Sequence, residues 1–430
     1  MTIFALGIEN DSNILRLLPN YGYGVLEYRS GEEQDEMVIA LTGSGSNANT
    51  NNLKYLGELR KFEELVKQSQ LYKTAPKIYL LRDITDSGTD WKQTPLKDMH
   101  IQVSENFYHY LKGWKPEVIV TFSHEPYWED QNWFGILSGN PYREVYPYEA
   151  LQGSDFRTNK FTWDYNENPS YLQSDLFYPV RIRIQPYYMG ITVSKIFLLA
   201  TTNGGPFFQE AEGMGGGSYL PSSPNYSLYT NGRYRSASLS GNFSEIFTMT
   251  FSPVFMGNDP YLIFARWLNP DYNARFGYRI KTGSNVLLEY TNVFRQPEEI
   301  IKLGVVEYPN ILSKNPDTVT FSILGMNTTG SGTVNFDYIE FWPERDTIEL
   351  ISASGRPLGY NETLVVDGST RKAWVENNAG LVIEPWVILG SGKLLLEPKK
   401  VALFAYKAIS TNHINNLVRY YVQIKKRYAA

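Results

Sequence analysis

Between Arg233 and Phe341 the chain repeats one local pattern, a short apolar or aromatic run followed by turn-forming residues. The runs are Arg233 to Leu239, Ile246 to Phe251, Tyr261 to Trp267, Phe276 to Ile280, Thr318 to Leu324 and Thr333 to Phe341. Turns such as Gly257-Asn258-Asp259-Pro260 and Asn269-Pro270-Asp271 separate them. Short strands at even spacing predict an all-β sandwich or jelly roll. The composition agrees, because 32 Tyr and 22 Phe suit pleated, half-buried surfaces, and 34 Gly and 23 Pro suit turns. An aromatic share of 15% leaves too much apolar surface for a disordered chain.

The flanks read differently. Tyr23 to Tyr28 and Glu36 to Leu41 are extended runs. Leu53, Leu56, Leu59, Phe62, Leu65 and Val66 then recur at helical spacing among Lys, Arg and Glu, which predicts one amphipathic helix with Asn51 or Asn52 as N-cap. Further strands are expected at Lys77 to Leu81, near Met99 to Val103, Glu117 to Ser123, Val180 to Gln185 and Gly190 to Thr202. Residues 130–175 read as a long Asn/Tyr-rich connection, and Asn203-Gly204-Gly205-Pro206 marks a boundary. The last segment, 346–430, is β again, with turns at Asp367-Gly368 and Gly390-Ser391-Gly392 and a final strand Leu417 to Ile424.

At 430 residues the chain is long enough for more than one core. Zero cysteine removes disulfide scaffolds, thiolate zinc sites and cysteine nucleophiles. A net charge of −5 argues against a nucleic-acid binder. No secretory leader is expected from the first ten residues, which carry Glu9 and no basic start, and no run is apolar enough to span a membrane. Four histidines, His100, His109, His124 and His413, have no metal-ligand spacing and read as surface or satisfied strand residues.

Carboxylates and aromatics remain as candidates. Glu210 and Glu212 flank Ala211, and alternation places them on one strand face; Asp337 lies on the last strand of the sandwich. Three readings stay open for them: a solvated face, a structural calcium site, or catalytic carboxylates as in a polysaccharide hydrolase or lyase. Trp267, Tyr272 and Tyr278 stand among Asn269, Asp271, Asn273 and Arg275, the mixture of flat rings and polar groups that grips sugars, or else the filling of a β core.

Two resemblances rest on these residues. The helix L-K-Y-L-G-E-L-R-K-F-E-E-L-V-K from Leu53, the strand from Lys77 to Leu81, the W-K-Q-T-P-L-K-D-M-H-I-Q-V stretch from Trp91 and V-I-V-T-F-S-H-E-P-Y-W-E-D from Val118 make residues 1–205 resemble a tailed-phage distal tail or baseplate-hub protein. The segment 346–430, where His413-Ile414-Asn415-Asn416 leads into an aromatic-basic strand, resembles the completion of the same belt domain. Residues 207–343 open on Phe208-Gln209-Glu210-Ala211-Glu212-Gly213 and close on Asn335-Phe336-Asp337-Tyr338-Ile339, and so resemble carbohydrate-binding β-sandwich modules that begin with an E-A-E strand.

The expected fold is therefore mainly β: a split tail-belt-like domain with one amphipathic helix and an arm at 130–175, interrupted by an inserted sandwich. The resemblance implies a non-enzymatic virion protein at a phage tail tip, made in the host cytoplasm. It would form a ring, a hexamer in that family, that joins the tail tube to the tip or hub. It also implies one structural calcium held by Glu210, Glu212 and Asp337, with host surface glycans met through the sandwich. The alternative is a glycan-binding adhesin or tail-fibre module.

Overall fold

A computed structural model describes residues 3–9, 11–72, 75–83, 85, 90–103, 116–135, 143–145, 159–163, 176–186, 192–201, 207–220, 234–252, 260–268, 272–294, 300–307, 318–397, 402–410 and 418–429. Most of the connection 130–175 and the boundary Asn203–Pro206 lie outside the described residues, as do His109 and His413. The protein is mainly β, built of several antiparallel sheets, with one α-helix among the described residues. No helix among them is long and apolar enough to cross a membrane. The chain divides into two compact units.

The first unit holds residues 1–134, 171–178 and 425–430. Its sheet is nine-stranded, and the main path runs Ile14–Arg16, Ile3–Ile8, Ile78–Asp83, Trp91–Val103, Glu117–His124, Gln34–Leu41, Tyr23–Arg29. Alternation decides the faces: Met37, Ile39 and Leu41 join Val118, Val120 and Phe122 in one core with Leu56, Leu59 and Val66 of the helix. That helix spans Ala48–Leu71, so it begins before the expected N-cap. Asn47 is the cap position, and Asn52 is a buried helix residue whose Oδ1 accepts the Gly43 N–H at 2.7 Å. The short strand Arg427–Ala429 pairs antiparallel with Tyr127–Asp130.

The second unit holds residues 135–170 and 179–424. Strands Tyr178–Pro186 and Val193–Thr201 share a 12-stranded sheet with Thr347–Ser352, Glu362–Asp367, Ala402–Ser410 and Val418–Ile424. Between these two groups in sequence, residues 207–343 form a 6-stranded and a 4-stranded sheet. Their inner faces meet in a core of Phe247, Ile263, Trp267, Phe276, Ile280, Phe321, Ile323, Phe336 and Phe341. This is the sandwich expected from the strand spacing. Its opening strand Phe207–Glu210 pairs antiparallel with its closing strand Ser331–Pro343. A separate cluster of Leu262, Phe264 and Trp342 packs against Phe197 and Leu199 of the larger sheet.

Candidate functional site

The aromatic candidates divide sharply by exposure. The Trp267 ring lies 4.0 Å from Phe276, nearly parallel to it, and 4.9 Å from Phe336. It has no exposed surface, and its indole N–H has no hydrogen-bond partner among the described residues. Tyr278 is also a core residue: its hydroxyl donates to the Val305 carbonyl at 2.6 Å, and its ring stacks on Phe321. Burial pushes the Tyr278 hydroxyl up to about 12, helped by Tyr290 and Glu307. Only Tyr272 stands in solvent, 71% exposed. The expected trio is thus corrected. Two of its rings face inward and present no flat surface to a sugar.

The carboxylate candidates converge only in part. Register pairs Arg266 with Tyr338 but Trp267 with Phe336, so Asp337 is the extra residue of a β-bulge. Asp337 is fully buried, and Arg266 Nη1 donates to its Oδ2 at 2.8 Å. Glu210 sits opposite Tyr338, which brings the backbone of the opening strand beside the bulge. The strand stops at Glu210, and 211–213 form a 3-10 turn, so the alternation that placed Glu210 and Glu212 on one face does not extend to Glu212. Their side chains lie outside the described residues.

A calcium ion needs 6–8 oxygen ligands around one charge centre. The described member of the set, Asp337, fits this poorly, because a guanidinium already donates to its carboxylate. Among the described residues no group of acidic or histidine side chains is arranged to hold a metal. A pocket of about 60 Å³ among the described residues is lined by Asp367, Gly368, Arg371 and Lys393 with Ile348, Ile388 and Leu394. It falls well below the roughly 300 Å³ at which ligand pockets begin. Burial alone would raise the Asp367 carboxyl, but Arg181 and donors from Ser369 and Thr370 hold it below the usual carboxylate range. Those contacts shape the turn after Glu362–Asp367.

The surface feature that the sequence reading missed lies on the strand Val382–Leu389 (VIEPWVIL). This strand is paired on both sides, with Lys372–Asn377 and Thr347–Ser352, so its exposure belongs to a sheet face. Pro385, Val387 and Leu389 alternate onto one face, beside Trp374 and Ile351, and a register shift at Ile383 adds Val382. Leu381 and Val382 are 65% and 64% exposed, and Ile383, Val387 and Leu389 are exposed too. Charges around the stripe are already paired within the chain: Glu376 with Arg183, Glu349 with Lys195 and Lys302, Asp367 with Arg181. The signal was present as an apolar run on both faces of one strand.

No family model matches the chain, and no curated protein matches it. Two solved virus structures overlap with it, both at 7% identity and a TM-score of 0.17. "Structure of infectious bursal disease virus Gt strain" covers 60% of this chain and 68% of its own. "Crystal structure of infectious bursal disease virus VP2 subviral particle" covers 59% and 66%. At that score the overlap carries no argument about fold or function.

Proposed function

We propose that the chain is a structural subunit of a virion, a tail-tip adaptor that assembles as a ring with copies of itself and neighbouring tail proteins. The observation that carries this reading is the apolar stripe of Val382, Pro385, Val387 and Leu389 on one face of a strand in the middle of a sheet, with exposed Leu381 preceding it. A soluble monomer rarely leaves a contiguous apolar face uncovered, and permanent interfaces have this composition. The paired charges around it add a rim that needs no counter-charge from a partner. The role is mechanical, and no catalytic step belongs to it. The hexameric ring and the tail location follow from the family resemblance, and the sandwich is its peripheral module. A glycan-binding role keeps one supporting observation, the exposed ring of Tyr272.

Light scattering and negative-stain images of the purified protein test the proposal. Closed rings, or a mass several times that of one chain, are the expected result. A protein that stays monomeric at high concentration and is missing from purified virions would sink it.

A further inference from the structure

His124 ends the strand Glu117–His124 with no exposed surface, and both of its ring nitrogens face oxygens. Nδ1 lies 2.6 Å from the Glu125 carbonyl, and Nε2 lies 3.5 Å from Asp35 Oδ1. A carbonyl oxygen cannot donate. Asp35 is arranged as an acceptor, since the Tyr28 hydroxyl donates to Oδ2 at 2.9 Å and the Gly31 N–H to Oδ1 at 3.2 Å. A neutral imidazole carries one proton, so in either tautomer a bare nitrogen would face an oxygen lone pair in a buried site. The imidazolium gives Nδ1 a hydrogen bond to the carbonyl and places the Nε2 charge, which makes no hydrogen bond among the described residues, at ion-pair distance from the Asp35 carboxylate.

We propose that His124 and Asp35 form a protonation-dependent lock on the turn between Tyr23–Arg29 and Gln34–Leu41, closed while His124 is an imidazolium and released when it loses its proton. Three contacts converge on that turn: Gly31 N–H on Asp35, the His124 backbone N–H on the Glu33 carbonyl at 2.9 Å, and Tyr28 on Asp35; the first and last depend on the Asp35 carboxylate that His124 faces. The strand it tethers, Tyr23–Arg29, is an edge of the nine-stranded sheet, so releasing the turn loosens an edge to which another chain could add.

The surrounding charges are few. From the strand Trp91–Val103, Lys97 opposes the imidazolium and is itself paired with Glu33 at 3.7 Å and Glu125 at 3.4 Å. Trp128 of Tyr127–Asp130 packs on the imidazole with ring centroids 6.0 Å apart, and Arg82 of Ile78–Asp83 lies over the Trp128 ring at 4.0 Å. Burial alone would lower the imidazole, but Asp35 and the Glu125 carbonyl outweigh it and hold His124 above its ordinary range. Burial alone would raise Asp35, and His124, Tyr28 and Gly31 hold it below its own. The sign follows from linkage. The His124 contribution is complete below its unfolded value and is lost as pH rises through the raised folded value. The Asp35 contribution is present above the unfolded carboxylate value and is lost as pH falls through the depressed folded one.

Ring ¹⁵N shifts of His124 in the intact protein, with hydrogen exchange of the Gly31 amide followed across pH, test the lock. Two protonated ring nitrogens at neutral pH are expected. Between the unfolded and the raised folded value of His124, Gly31 protection should fall by up to about tenfold per pH unit beyond intrinsic exchange, and level off above the folded value. In His124→Gln, whose amide can donate to Asp35 without titrating, that step should vanish. A neutral-imidazole spectrum at neutral pH overturns the proposal whether or not the variant folds, as does an unchanged step in a folded His124→Gln.

Discussion

Trp267 lies between Phe276 and Phe336 in the sandwich core, so its contribution is packing. Trp267→Ala should cost about 3–5 kcal/mol of stability, the usual result of emptying so large a core volume. The check is a denaturant titration of wild type and variant; a loss of under about 1 kcal/mol would mean that the ring is not where the core places it. At the neighbouring position, Arg266 acts as a built-in cation for buried Asp337. Breaking a buried ion pair by removing one partner typically costs about 3–5 kcal/mol. Arg266→Gln should therefore lower the melting temperature, and Arg266→Gln with Asp337→Asn should recover part of the loss. Calcium or a chelator should leave wild-type melting unchanged. A saturable rise with calcium would refute the assignment of Arg266 as the cation of this site.

One short element holds an uncommon density of charge. Arg427–Ala429 pairs with Tyr127–Asp130, and buried Glu129 accepts from Lys425 Nζ, Arg427 Nε and Gln93 Nε2 at 3.2–3.3 Å. Asp130 accepts from Lys92 at 2.6 Å and from the Tyr428 hydroxyl at 3.1 Å. Burial opposes the charge on Lys92, but Asp130 and Asp90 outweigh it and raise its value. Truncation after Ile424 should thus destabilise the first unit far more than trimming an ordinary terminus, because Glu129 loses both cations. Limited proteolysis of the truncated chain would show rapid cleavage within residues 1–134; unchanged resistance would count against the latch. Sequence showed the basic residues here but not their burial, since a Lys-Lys-Arg run reads as solvated until a partner strand is known. Alternation located most of the strands, among them Tyr261–Leu268 and Val319–Asn327. It could not assign Trp267 to a face, because Leu262 and Phe264 make that strand apolar on both sides. It also failed for Asn285–Phe294, where register shifts break the period of two.

At the scale of the whole molecule, strand spacing pointed to the sandwich at 207–343, whereas the sheet that flanks it in sequence takes most of its strands from 178–201 and 347–424, and residues 1–134 belong to a separate unit. The exposed stripe was not readable, because an exposed apolar stripe and a buried strand have the same residue types. What separates them is which face the neighbouring elements cover, and that is fixed only once distant segments pair. If the stripe on Val382–Leu389 is an assembly surface, charge there should block association while sparing the fold. Val387 and Leu389 suit the test because both are exposed, so a lysine ammonium can stay in water. Val387→Lys with Leu389→Lys should leave the melting temperature within a few degrees of wild type, since surface changes usually stay within about 0.5 kcal/mol each. Sedimentation at matched concentrations should show the assembled species reduced at least tenfold, with the monomer taking its place. A large drop in melting temperature would instead mean that the stripe is part of the core. Equal assembly of variant and wild type would move the interface elsewhere on the chain and remove the observation on which the subunit role rests.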